Sequence, residues 1–68
     1  MTVISQKRDF VFDFDSHVIA QRGEYISLHI DGRDVEIGKY DSREREQEVL
    51  KEMIEKNVIE VAYYMPEV

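Results

Sequence analysis

Residues 38–54, Gly38-Lys39-Tyr40-Asp41-Ser42-Arg43-Glu44-Arg45-Glu46-Gln47-Glu48-Val49-Leu50-Lys51-Glu52-Met53-Ile54, carry the chain from a strand into a helix and decide which face of that helix is buried. Asp41 stands three residues before Glu44, a D-x-x-E arrangement that satisfies orphan N–H groups and sets negative charge at the positive end of the helix dipole. Ser42 is the competing cap. Val49, Leu50, Met53 and Ile54 recur at helical spacing and form one apolar stripe, with Glu44, Gln47, Glu48, Lys51, Glu52 and Glu55 outside it. The pattern predicts a single helix over about residues 42–56. Asn57 suits a left-handed exit from that helix, after which Val58, Ile59, Val61, Ala62, Tyr63 and Tyr64 read as a last strand, about 59–64, ended by Pro66. A helix continuing to Tyr63 is the alternative.

Upstream of this stretch the period is two. Asp31-Gly32 suits a type I′ hairpin turn, because both central residues need positive φ. A two-residue loop places Ile30 opposite Arg33, Leu28 opposite Val35 and Ile26 opposite Ile37. One face is then apolar, while Ser27 and His29 share the other with Glu36 and Asp34. A second two-residue loop at Arg22-Gly23, following a strand from about His17 to Gln21, sets Ile19 opposite Ile26. That leaves Val18, Ala20 and Tyr25 behind the sheet. Nearer the start, Val3 and Ile4 form a short apolar segment and Gln6-Lys7-Arg8-Asp9 a polar turn. Phe10, Phe12 and Phe14 alternate with Val11, Asp13 and Asp15 as a half-buried strand whose phenylalanines face the core. The order of elements predicts an α+β fold: a small antiparallel sheet of about four to six strands packed on one face by one helix.

With 68 residues, the chain makes one domain, since a chain of that size buries roughly 60% of its unfolded surface and cannot support a second core. It has no cysteine to staple the fold, so stability rests on apolar packing, with self-association as a means of adding to it. No charged start leads into an apolar leader core and no apolar run approaches the ~20 residues of a membrane span, so a cytoplasmic protein without membrane contact is expected. Fifteen acidic against nine basic residues give a net charge of −6, which disfavours direct nucleic-acid binding, because phosphate contacts need cationic side chains.

Chemistry-bearing patterns are sparse. Asp13, Asp15 and His17 would point to one side of an extended strand and combine carboxylate with imidazole, as a divalent-ion site does. Three mixed ligands on a turn more commonly make a solvated Asp/Ser turn. His29 opposite Asp34 has the form of an acid/base pair, yet no nucleophile is tied to it, and a thin domain offers no deep pocket. Asp31-Gly32-Arg33-Asp34 and Gly38-Lys39 lack the spacing of a phosphate-binding loop. The expectation is a protein that is not an enzyme and holds no metal or cofactor. Surface candidates are Tyr25, Tyr40, Tyr63, Tyr64 and Met65, because tyrosine and methionine concentrate in binding patches. Adjacent Tyr63 and Tyr64 must face opposite ways, so one packs under the helix and the other lies behind the sheet near Val18, Ala20 and Tyr25.

Several short elements together carry a resemblance: Ile4-Ser5-Gln6, Phe14-Asp15, Gly38-x-Tyr40, then Ser42-x-Glu44-Arg45-x-x-Glu48-Val49-Leu50-x-Glu52, and Tyr64-Met65-Pro66-Glu67. The pattern resembles a group of short uncharacterised proteins of low-GC Gram-positive bacteria and their phages, and the likeness covers most of the chain. Where those proteins typically carry alanine after the Glu-Arg pair, this chain has Glu46, at the edge of the buried stripe. The resemblance implies a small cytosolic domain, often on mobile elements, and supplies no catalytic residues.

Three functions follow as expectations. The first is a non-enzymatic interaction protein that binds itself or a protein partner through an exposed sheet edge or the Tyr-bearing face. The second is an acidic, phage-type inhibitor of a host defence or nucleic-acid-binding protein, with Glu44, Glu48, Glu52 and Glu55 on the helix and Asp13 and Asp15 as phosphate mimics; Arg43, Arg45, Lys51 and Lys56 dilute that field. The third is a metal- or small-molecule-binding module.

Overall fold

The computed structural model describes residues 1–68. Its elements run β1 (Thr2–Ile4), β2 (Val11–Asp13), a 3₁₀ turn (Phe14–Ser16), β3 (Val18–Arg22), β4 (Tyr25–Ile30), β5 (Arg33–Lys39), α1 (Arg43–Lys56) and β6 (Ala62–Tyr64). The α+β class, the single helix and the last strand stand where the sequence pattern put them. The six strands divide into two sheets of three, ordered β2-β1-β6 and β3-β4-β5. The 3₁₀ turn redirects the chain between β2 and β3, while the Phe14 N–H at its start still donates to the Met1 carbonyl at 2.9 Å. β1 pairs antiparallel with β2 but parallel with β6, matching Val3 with Tyr63. No hairpin signal announces a parallel partner, because its connection is the whole intervening chain.

The Asp31-Gly32 turn has positive φ at both residues, 53° and 78°, as a type I′ loop requires. Ile30 lies opposite Arg33, His29 opposite Asp34 and Leu28 opposite Val35. Beyond Ser27 the register slips by one, so Ile26 faces Gly38, not Ile37. This bulge is where Met65 crosses the sheet: a Cβ on residue 38 would lie 2.6 Å from the Met65 methyl and 3.0 Å from the Tyr40 ring. Only glycine leaves room for that crossing, and the extra residue in β5 brings glycine to it. The preceding turn also differs from expectation. Its loop is Gly23-Glu24, with glycine at the first central position and φ 61°, so Ile19 pairs with Leu28 and Gln21 with Ile26. A shift of two residues keeps every side chain on its face, so Ile19 still joins the apolar side.

Ser42, not Asp41, caps α1. Its backbone is extended and its hydroxyl accepts the Arg45 N–H at 3.1 Å. Asn57 keeps right-handed helical angles, φ −58° and ψ −26°, and not a left-handed exit. The chain then turns as the Ile59 and Glu60 N–H groups both donate to the Lys56 carbonyl, at 3.0 and 2.8 Å. This turn shortens the last strand to three residues and leaves Val58, Ile59 and Val61 in the connection.

Val3, Phe12, Ile26, Leu28, Ile37, Tyr40, Val49, Met53, Tyr63 and Met65 form one buried core, with Phe10 and Phe14 partly buried against it. The buried stripe of α1 is rotated from the expected one. Glu46, Val49 and Met53 face inward, Leu50 is half-buried, and Ile54 is exposed. Glu46 is only 1% exposed, and its Oε1 accepts the Gln21 amide at 2.7 Å. Pairing a buried acceptor with a half-buried donor leaves the carboxylate dependent on Gln21. Gln21→Ala should therefore destabilise by about 1–3 kcal/mol, and Gln21→Ala/Glu46→Ala should regain most of that loss, since no unpaired group remains. Urea denaturation of the two variants checks it; a double variant no more stable than the single one would contradict this account.

Candidate interaction surface

The residues expected to meet a partner do not form one surface. Tyr40, Tyr63 and Met65 lie in the core, 8%, 7% and 0% exposed, so the partner-facing expectation does not extend to them. The Tyr63 hydroxyl donates to Glu52 Oε1 at 2.6 Å; burial and that carboxylate hold its pKa well above the ordinary value. Burial likewise pushes the Tyr40 hydroxyl up to about 12. Tyr64 is exposed, beneath the Arg8 guanidinium at 5.4 Å, and belongs to the other sheet from Tyr25, Ala20 and Val18. It does not share their sheet face. On that face of β3-β4-β5, Val18 is exposed and Tyr25 and Ala20 are half-buried. Around them, Asp34 accepts from His29 Nδ1 or pairs with its protonated ring at 3.1 Å, and lies 3.6 Å from Arg22 Nε.

The acidic helix face is mixed. Glu44, Glu48, Glu52 and Glu55 are exposed, but Glu48 lies 3.5 Å from Arg45, Glu52 is engaged by Tyr63, and Lys51 and Lys56 border the same shallow hollow. Asp13, Asp15 and His17 are drawn to separate partners. Asp13 accepts the Ser16 hydroxyl at 2.7 Å, which with the Met1 amino group at 3.5 Å lowers its pKa. Asp15 accepts from Asn57 at 3.0 Å, and the His17 ring meets Phe12 edge-on. No group of three His, Cys, Asp or Glu side chains stands where it could hold a metal ion.

Ile4, Gln6, Tyr40 and Arg45, four of the residues in the quoted sequence pattern, converge with Arg8 on residues 65–68. Ile4 accepts the Met65 N–H at 2.9 Å. Arg8 donates to the Met65 carbonyl at 2.7 Å, Tyr40 to that of Pro66 at 2.7 Å, Gln6 to that of Glu67 at 3.0 Å and Arg45 to that of Val68 at 2.9 Å. Gln6 also ties β5 through the Lys39 N–H and carbonyl. Ser5, fully buried, accepts the Asp9 and Phe10 N–H groups and so shapes the turn that presents Arg8. Arg8 itself has φ 63°, an unusual conformation for a residue with a side chain. The hollow beside this clamp, about 650 Å³, has Tyr40 as its single hydrophobic lining residue, unlike a typical small-molecule pocket.

The strongest surface anomaly was not singled out by sequence periodicity. Ile54 is 60% exposed, and Val58, Ile59 and Val61 are 73–87% exposed. Ile54 is in the last turn of α1 and the other three lie between α1 and β6, the outer strand of its sheet, where Tyr64 is also exposed. The run Val58-Ile59-Glu60-Val61 reads as strand from its composition, but the turn after α1 keeps it out of β6. Comparisons with protein-family models, characterised proteins and solved structures find no match.

Proposed function

We propose that this chain is a non-enzymatic interaction module, pairing with a second copy of itself or with another protein through the outer edge of β6 and the apolar connection before it. The observation that carries the reading is the exposure of Ile54, Val58, Ile59 and Val61 beside a free strand edge. Large apolar side chains clustered on a surface mark contact sites more often than chance exposure does. The total accessible surface is 4472 Å², against about 4,500 Å² expected for a folded monomer of this mass, so the apolar exposure is local and not a sign of a loosely closed fold. A short edge strand invites strand addition, and flanking apolar residues supply the affinity that three residues of ladder lack. The family resemblance fits a small accessory domain of a Gram-positive bacterium or phage acting in the cytoplasm.

Val58→Asp/Ile59→Asp tests the reading. Both sites are exposed, so thermal stability should stay within about 0.5 kcal/mol of the parent. Self-association seen by analytical ultracentrifugation, or capture of a protein partner, should fall at least about tenfold, the effect of ~1.4 kcal/mol. Undiminished association in a folded variant would place the contact elsewhere.

A further inference from the structure

We propose that the segment Ala62–Val68 is exchanged between two copies of this chain, each copy's β6 pairing with its partner's β1, with Asn57–Val61 as the hinge. The proposal rests on the self-pairing half of the interaction reading, keeping the apolar connection as the contact but seating β6 on the partner's β1 by its inner edge.

β6 is the outer strand of β2-β1-β6, so it can dock on another copy without being threaded between strands. What holds it is portable. Thr2 donates to the Val61 carbonyl, Ile4 accepts from Met65, and Arg8, Tyr40, Gln6 and Arg45 each donate to a main-chain carbonyl of residues 65–68. The body of any copy presents these groups, together with the pocket over Gly38 that receives Met65, to the same segment from any other copy. A foreign protein would need Met65 and Tyr63 equivalents at matching positions, whereas a second copy has them already. Exchange of an identical element is a low-cost route to a dimer for this reason.

The hinge explains the bare apolar cluster. In the closed monomer Val58, Ile59 and Val61 meet solvent because the chain must turn back from α1 to β1. Two N–H bonds to the Lys56 carbonyl hold that turn, and Asn57 already has helical angles. Residues 57–63 read as helix as well as strand, so the hinge can straighten by prolonging α1. Two straightened hinges crossing at a two-fold axis bring both sets of apolar side chains together. Lys56 and Glu60, of opposite sign at the two ends of the hinge, become complementary across the axis. Opening a folded copy would uncover Tyr63 and Met65, so exchange takes place as chains fold together and not between finished monomers.

Three single-cysteine proteins test this, since the chain has no cysteine of its own. Thr2 and Ala62 are neighbours in the β1–β6 register and both are exposed. A Thr2→Cys copy and an Ala62→Cys copy are unfolded, mixed, refolded together at rising concentration and oxidised. Exchange predicts a disulfide-linked heterodimer, increasing with concentration and at least tenfold above a mixture of Ala62→Cys with Gln47→Cys, since residue 47 lies in α1 and is not the strand partner of residue 62. Sedimentation of the same mixtures separates the two ideas. A dimer without the excess of linked heterodimer overturns exchange and leaves surface pairing standing; a monomer at every concentration overturns exchange and self-pairing together.

Discussion

Met65→Ala is expected to lower the free energy of unfolding by about 2–5 kcal/mol, the range for removing a buried Met or Leu side chain and leaving a cavity. A domain this small has only roughly 3–10 kcal/mol in total, so the variant should be partly unfolded near body temperature. The upper half of the range is expected because the site cannot easily collapse. Gly38 has no side chain to move into the space, and the main chain of residues 65–68 is held by Arg8, Tyr40, Gln6 and Arg45. Urea denaturation followed by circular dichroism gives the number. A loss under about 1 kcal/mol would mean that Met65 does not fill the core as described. Pro66→Ala serves as the control, because Tyr40 bonds the carbonyl of that residue and not its side chain.

Alkaline pH should unfold the protein earlier than its charge alone would suggest. The Tyr40 hydroxyl is raised from 10.0 to about 12 and that of Tyr63 is raised as well, chiefly by burial in both. Below pH 10 both folded and unfolded chains keep these protons and the stabilisation is complete. Between pH 10 and about 12 the unfolded chain releases protons that the folded chain retains, so stability falls as pH rises through that window. Thermal melts from pH 8 upward should show a plateau, then a steep fall beginning near pH 10. Tyr63→Phe should soften the fall, since one of the two retained protons is gone, although it also frees Glu52 from its hydrogen bond. A melting temperature indifferent to pH between 10 and 12 would be incompatible with buried, protonated tyrosines.

The parts of the fold legible in the sequence are those governed by short-range chemistry. Asp31-Gly32 dictates its turn because two consecutive positive φ angles suit few residue pairs, and the alternation on either side sets the faces of β4 and β5. The helix is readable from Ser42 to Lys56 for similar reasons. What escaped reading depends on distant residues. The bulge opposite Ile26 exists because Met65 must pass over position 38, a fact written 27 residues away in the chain. Glu46 stands at the edge of the apolar stripe by spacing, but only the distant Gln21 amide, from another element, lets it be buried. Tyr63 and Tyr64 lie in a different sheet from Tyr25 because their strand pairs with β1, a partner 60 residues away that no local pattern signals. Helical spacing puts Ile54 in the buried stripe and the apolar run puts Val58, Ile59 and Val61 in the last strand, whereas the turn after α1 leaves all four exposed.

The parallel pairing of residues 2–4 with residues 62–64 also orders the loosening of the native state. The β3-β4-β5 meander is joined by two tight turns and forms from neighbours in the chain, whereas β2-β1-β6 is closed only by a contact spanning nearly all of it. Native proteins open in cooperative pieces, and a piece held by three-residue strands separates before one held by strands of five to seven. Amide protons of Thr2 and Met65 should therefore trade with deuterated solvent sooner than those in the middle of β4, giving a molecule with a persistent kernel and a detachable flank.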